Sequence, residues 1–302
     1  MHPVAIAGRA IDALRDRAPR APRAQLVHGA WIVVLPALGA VGIGRLAAGL
    51  RPWPLRLVAT VWLLKTTFAL RELVAAGRSV ERPLAGGDLA QARRGLLALV
   101  SRPVEHLDEP HVASAAIESL AENLADSYLA PLFYYVLGGL PAALAYRVVN
   151  TADAMVGYRG DLEYLGKVSA RLDDLLNLVP ARLSALALAA AAPLVGQSGK
   201  RALAVARREH GRTESPNAGW PMAAAAGALG VWLEKPGHYR LDGARAPGRA
   251  DIARASRLVH VAALLGTAAL LAARDAHRGT AALLAARGAH RGTAARLAAR
   301  GA

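Results

Sequence analysis

The sequence predicts an all-α, polytopic membrane protein, a helical bundle with amphipathic helices on its cytoplasmic side, and three observations carry that reading. Of its 302 residues 54 % are hydrophobic and the mean hydropathy is +0.26, too apolar for an ordinary soluble domain. Residues 25–44 (QLVHGAWIVVLPALGAVGIG) form an uncharged run, His28 apart, long enough to cross a bilayer as a helix. No period-two alternation of useful length occurs, so helices are the regular elements the pattern supports.

Taken in order, residues 1–24 are rich in Arg and Pro and read as a basic, cytoplasmic flank of the first span. The apolar run has no small-x-small cleavage site at its end, which argues against a signal peptide. Further apolar segments cover 55–70, interrupted by Arg56 and Lys65, then 128–146, 183–195, 218–233 and 258–273. Between them, 71–127 reads as amphipathic helices, with Gly86-Gly87 as a turn and Asp88 as an N-cap. Residues 147–182 hold the densest polar groups, while 196–217 and 234–257 look loop-like. The single membrane domain is assigned to 1–273. Beyond it AHRGTAALLAARG (276–288) recurs as AHRGTAARLAARG (289–301), a unit too short and too few for a solenoid, and expected to be a dispensable basic helix or disorder.

The net charge of +15 comes almost wholly from arginine, but aromatics make up only 5 %. The stacking platforms of single-strand binders are missing, so anionic lipid headgroups and not nucleic acid are the expected counter-charge. With no cysteine, disulfides, thiolate metal sites and cysteine nucleophiles are excluded.

Four polar constellations interrupt this apolar chain. Glu118, Glu122 and Asp126 stand at four-residue spacing, which places them on one helical stripe about 80° wide. Like charges so arranged repel, so the stripe is either a solvated acidic face or a site for Mg²⁺ or a substrate amine. In NTADAMVGYRG (150–160), Asn150, Asp153, Tyr158 and Arg159 suit a ligand loop or a helix cap. In ARLDDLLNLVPARL (170–183), Asp173 and Asn177 are i,i+4 neighbours and Arg171 can reach Asp174; Pro180 is expected to bend or restart the helix before Arg182. TESPNAGWP (213–221) is a rigid loop in which Ser215 or Asn217 can open a helix. Ionisable groups at membrane-segment ends are costly unless they serve a site. GQSGKR (196–201) lacks the first glycine of a P-loop, and no GxSxG, HExxH or GxGxxG occurs.

These residues also carry a resemblance. HPV-x3-GR (2–9), GDLAQARR (87–94), AAIESLAEN with APLFYYVLGG (115–139), ALAYR-x2-NT-x-D-x-MVGYR (143–159), ARLDDLLN-x2-PARL (170–183) and SPNAGWP-x-AAAAGALG (215–230) closely resemble the CobD/CbiB family, the membrane-bound adenosylcobinamide-phosphate synthases of cobalamin biosynthesis. The resemblance implies ATP-dependent amide ligation, joining 1-aminopropan-2-ol or its O-phosphate to a propionate carboxyl of adenosylcobyric acid. It implies Mg²⁺ and ATP, with Glu118, Glu122, Asp126, Asp153, Asp173 and Asp174 as catalytic candidates and Glu122 and Asp126 nearest the metal. Asn123, Asn150, Tyr158, Arg159, Arg171, Asn177, Arg182, Ser215 and Asn217 become candidates for substrate binding. A multi-pass protein of the inner membrane follows, its site facing the cytoplasm, with the bilayer and other cobalamin-pathway membrane enzymes as partners. The chain departs from the family pattern in starting at Met1-His2-Pro3, in Ala152-Asp153-Ala154 for the usual Leu-Asp-Ser, and in Asp126-Ser127 for Asp-Gly. The rival reading is a transporter or sensor coupling the same carboxylates to cations or protons, although no inverted repeat is visible.

One topological conflict has to be resolved. If 128–146 simply crossed the bilayer, the carboxylates at 118–126 and at 150–177 would face opposite sides. The sequence Gly138-Gly139-Leu140-Pro141 offers a break at which two half-length helices can dip in and return.

Overall fold

The computed structural model describes residues 3–157, 163–241 and 243–298. Its helices are α1 (Pro3–Arg15), α2 (Pro22–Ala48), α3 (Trp53–Lys65), α4 (Leu70–Ala85), α5 (Leu89–Leu96) and α6 (Glu109–Leu124). A π-helical turn, Ala125–Leu129, follows, then α7 (Ala130–Val156), α8 (Glu163–Ala191), α9 (Gly199–Glu209), α10 (Gly219–Leu229) and α11 (Arg249–Ala298). Among the described residues, four helical stretches are long and apolar enough to cross a membrane: Pro22–Ala48, Glu109–Val156, Glu163–Val195 and Arg249–Ala276. Val27, Trp31, Leu38 and Leu46 of α2 and Trp53, Leu57, Val58 and Trp62 of α3 are exposed. That is the arrangement expected where hydrocarbon, not water, surrounds the helix.

The expected break is present. Gly138 (φ −131°, ψ 16°) and Gly139 (φ 68°, ψ −162°) leave the helical region inside α7, and the second pair of angles is open essentially only to glycine. The chain therefore reverses. The Tyr146 hydroxyl donates to the Asp126 carbonyl at 3.3 Å, whereas twenty residues of straight helix would separate them by about 30 Å. The Tyr134 and Tyr146 rings stack at 5.1 Å across the two halves. At the tip, a Cβ on Gly44 of α2 would lie 2.6 Å from the Pro141 Cα, so glycine there lets α2 close over the turn. The geometry is that of a re-entrant hairpin, its tip packed against α2 at Pro141 while Gly138 stays exposed.

The polar end is built from α4, α5, α6, α9, α10 and the start of α11. They share one apolar core that includes Val80, Leu96, Ile117, Leu120, Leu188 and Ile252. Asp88 caps α5 by accepting from the Gln91 N–H (2.8 Å), as expected, and Gly86-Gly87 turn the chain before it. Asp108 caps α6 by accepting from the His111 N–H (3.0 Å). Burial alone would raise Asp108, but the His111 N–H and ring hold it below its ordinary value.

Four local expectations need correction. The stretch 55–70 is not one segment, because α3 ends at Lys65 and α4 starts at Leu70; the Thr66 and Thr67 hydroxyls turn back onto the carbonyls of Leu63 and Leu64. The region 196–217 is largely helical, since Ser198 caps α9 (3.3 Å to the Arg201 N–H) and its arginines lie on an exposed face. The region 234–257 contains the start of α11 and part of a two-stranded antiparallel sheet, β1 (Leu233–Lys235) with β2 (Tyr239–Leu241), strands too short to show a period. Finally, α8 runs on through Pro180. A proline removes the N–H that Leu176 O would have accepted, and the Tyr134 hydroxyl takes its place at 2.8 Å.

Candidate active site

The hairpin brings the two acidic regions together. A cavity of about 270 Å³ is lined by Glu122 from α6, Asp126 from the π turn, Asp153 from α7, Asp173, Asp174 and Asn177 from α8, and Glu214, Ser215 and Asn217 from the loop before α10. The π turn inserts its extra residue at the point where Asp126 must face the cavity, a common use of such bulges. Gly157 ends α7 beside Asp153, and a Cβ there would lie 2.0 Å from the Asp153 Oδ1.

A hydrogen-bonded chain fixes the far wall. The Asn123 amide donates to the Ser119 carbonyl (3.0 Å) and accepts from the Ser127 hydroxyl (2.9 Å). Arg147 donates to Ser127 Oγ (3.3 Å) and Asn150 Oδ1 (3.2 Å). Asn150 and Asn177 donate to the two oxygens of Asp173 at 3.2 and 3.0 Å, and Tyr146 donates to Asn177 at 2.9 Å. Asp173 is thus held as an acceptor, with Arg147 the cation acting on both it and Asp126. By contrast, the carboxylates of Glu122, Asp126 and Asp153 receive no hydrogen bond among the described residues. Several acids converge on one arginine with oxygens to spare, an arrangement suited to cationic or proton-bearing ligands.

Asp153 is therefore a wall residue and Asn150 a residue behind the wall that holds Asp173, and neither is an N-cap, though the Asp153 carbonyl does accept from Gly157 N at 2.7 Å. Ser215 closes the turn before α10 by accepting from the N–H groups of Asn217 (3.2 Å) and Ala218 (3.4 Å) and donates to Asp174 at 3.4 Å; α10 itself starts at Gly219 with no side-chain cap, so neither Ser215 nor Asn217 opens it. Arg171 is exposed and forms no ion pair with Asp174, although its charge acts on it. Arg182 lies outside the lining, stacked 5.0 Å from the Trp220 ring and 3.5 Å from Asn217 Oδ1. Tyr158 and Arg159 lie outside the described residues.

The stripe Glu118, Glu122, Asp126 is divided between two cavities. A second one, of about 390 Å³, adjoins the first and shares Glu122, Glu214, Ser215 and Ala218 with it. Glu118 belongs only to this one, and it is satisfied: Ser114 Oγ donates at 2.7 Å, Tyr239 Oη at 2.9 Å, and Arg102 Nη2 lies at 3.4 Å. Burial, and then the Glu118 carboxylate, push the Tyr239 hydroxyl up, which keeps it a donor.

Residue types alone did not single out Tyr146, Arg147, Glu214, Arg102, Lys235 or Tyr239. Arg147 had a signal, a cation within an apolar helix, and Glu214 lies next to Ser215 in the loop already singled out; the others meet the site only through contacts distant in sequence. No three His, Asp or Glu side chains among the described residues could hold a single ion.

The sequence profile of the family described as CobD/Cbib protein matches residues 1–275. The cobalamin biosynthesis protein CobD of Citrobacter koseri is 41 % identical over 290 residues, covering 90 % of this chain and 91 % of that protein. The cobalamin biosynthesis protein CbiB of Salmonella typhimurium is 43 % identical over 256 residues (81 % and 80 %). The CobD of Dehalococcoides mccartyi is 50 % identical over 185 residues, 61 % of this chain and 60 % of its own length. No solved structure matches. With a profile matched over nearly its whole length and relatives this similar end to end, the chain belongs to the CobD/CbiB family.

Proposed function

We propose that the protein is an adenosylcobinamide-phosphate synthase: it joins 1-aminopropan-2-ol, or its O-phosphate, to a propionate carboxyl of adenosylcobyric acid at the expense of ATP. The observation that carries this is the convergence of carboxylates from α6, the π turn, α7 and α8 in one cavity, those of Glu122, Asp126 and Asp153 without hydrogen-bond donors among the described residues. The names of the relatives, cobalamin biosynthesis proteins, supply the pathway.

A carboxylate is a poor acylating agent. In this reading the substrate carboxyl oxygen takes the γ-phosphoryl group of ATP, ADP leaves, and the free amine then attacks the acyl carbon, expelling phosphate and forming the amide. The amine arrives as an ammonium ion and must lose a proton before attack. Asp153 and Asp174, facing the cavity, bind the ammonium, and Asp153, free of donors, takes the proton. Asp173, held by Asn150 and Asn177, orients this wall, and Arg147 offsets its charge. Mg²⁺ prefers oxygen ligands and commonly keeps several waters, with one or two protein carboxylates and substrate phosphates completing its shell. Glu122 and Asp126 fit that pattern. Bound there, the ion would neutralise phosphoryl charge. The cavity then faces the cytoplasm, where ATP is available.

The test uses purified protein in detergent with adenosylcobyric acid, MgATP and aminopropanol phosphate, following the amide by mass spectrometry. Product that requires ATP, and is lost in Glu122→Gln and Asp126→Asn, is expected. Bound corrinoid with no product would overturn the assignment and favour a transporter or sensor.

A further inference from the structure

The second cavity is chemically unlike the first. Arg102 and Lys235 face it together with His238 and Tyr239, and both cations act on Glu122, the residue at the junction. Glu118, Glu122 and Glu214 also line this cavity, yet they leave hydrogen-bonding capacity of the two cations unused. Arg102 Nε is buried and has no hydrogen-bond partner, and its Nη2 has only the 3.4 Å contact with Glu118. Glu118 itself is already satisfied by the Ser114 and Tyr239 hydroxyls. Lys235, at the end of β1, makes no ion pair among the described residues. His238 is engaged with Glu214 at 3.2 Å, and so does not neutralise anything further. A buried guanidinium with an unused N–H costs free energy unless a ligand meets it, and an anion with several acceptor oxygens is the ligand that a guanidinium and an ammonium recognise together.

We infer that this second cavity is a phosphate subsite, in which Arg102 and Lys235 hold the phosphoryl group of a substrate whose reacting end lies across Glu122 in the acidic cavity. The inference rests on the ligation reading for the identity of the substrates, but not for the presence of the subsite. Two sources share the chemistry: the polyphosphate of ATP and the phosphomonoester of aminopropanol phosphate. Tyr239 and Ser114 act here as positioning residues: they hold the Glu118 carboxylate, which fixes the Arg102 guanidinium through its Nη2 and leaves Nε unpartnered.

The experiment measures binding of MgATP, of aminopropanol phosphate and of unphosphorylated aminopropanol to the full-length protein in detergent by calorimetry, for wild type, Arg102→Gln, Lys235→Met and Lys235→Arg. Removing one charge-assisted contact is expected to weaken one of the two phosphorylated compounds about tenfold or more, with Lys235→Arg retaining most of the affinity. Binding of unphosphorylated aminopropanol is expected to stay unchanged, and the compound that loses affinity identifies the source. Lys235 sits on a short surface hairpin, so its variant keeps the test decisive even if Arg102→Gln, which strips Glu118 of its cation, fails to fold. Unchanged affinity for both phosphorylated compounds in Lys235→Met, or no binding of either to wild type, would overturn the subsite. Amide formation by wild type alongside unchanged affinities in the variant would sink the subsite and leave the ligase standing. Loss of phosphate affinity with no amide formed by any protein would do the reverse.

Discussion

Replacing Gly139 by alanine tests the hairpin on which the site depends. The residue sits at φ 68°, ψ −162°, where a side chain costs about 1–3 kcal/mol. The space around it adds nothing, since a Cβ would meet only Pro141 Cδ at 3.7 Å, an ordinary contact. The penalty is therefore conformational, and it falls on the turn that places Asp126 beside Tyr146. Reversible unfolding in mixed micelles by SDS, with helicity as the signal, should show Gly139→Ala destabilised by that amount. Gly42→Ala is the control: it lies inside α2 with nothing within 4 Å of its Cβ, and should gain up to about 1 kcal/mol. If Gly139→Ala is as stable as wild type, the reversal is not held by this residue and the reasoning fails.

Three further outcomes follow from the same geometry. Tyr134→Phe removes the donor to the carbonyl that Pro180 orphans and should cost about 1–3 kcal/mol, a cost that Pro180→Ala, which restores the backbone N–H, should largely abolish in a double-mutant cycle. Gly157→Ala drives a Cβ to 2.0 Å from Asp153 Oδ1 and 2.6 Å from its carbonyl; amide formation should fall steeply, with about 1–3 kcal/mol lost in stability, and retention of full activity would remove Asp153 from the site. Asp108 has its value lowered in the folded state, so its contribution is present above its unfolded value and is lost as pH falls through the folded one. Asp108→Ala should accordingly cost about 1 kcal/mol at neutral pH and nothing in strong acid, when melting is compared across pH.

The features legible in the sequence were those that local chemistry determines. Asp88 after Gly86-Gly87 could only cap a helix, and two glycines before Leu140-Pro141 in an apolar run marked a break. The acidic residues of α6 and α8 stood out because charge at a membrane-segment end demands a reason. What was hidden depends on contacts between distant residues. Pro180 looked like a place to bend or restart the helix because the hydroxyl that satisfies Leu176 is 42 residues upstream. Likewise α9 looked like a loop because the surrounding stretch 196–217 is rich in Gly, Pro and Arg, although Ser198 caps the helix. Glu118 looked equivalent to Glu122 and Asp126 on the stripe, yet Tyr239, 121 residues away, separates it from them. Arg102 and Lys235 carry no local pattern at all, and only the fold places them at one cavity.

The central claim is that segment 125–156 turns back within the membrane, so that both carboxylate sets share one cavity. It is tested most directly by cysteine labelling, which the cysteine-free chain makes clean. Single substitutions Glu109→Cys and Glu163→Cys, both at exposed positions flanking the hairpin, are treated in sealed, oriented vesicles with an impermeant maleimide. Labelling of both from the same face is the result predicted here, and labelling from opposite faces would contradict it.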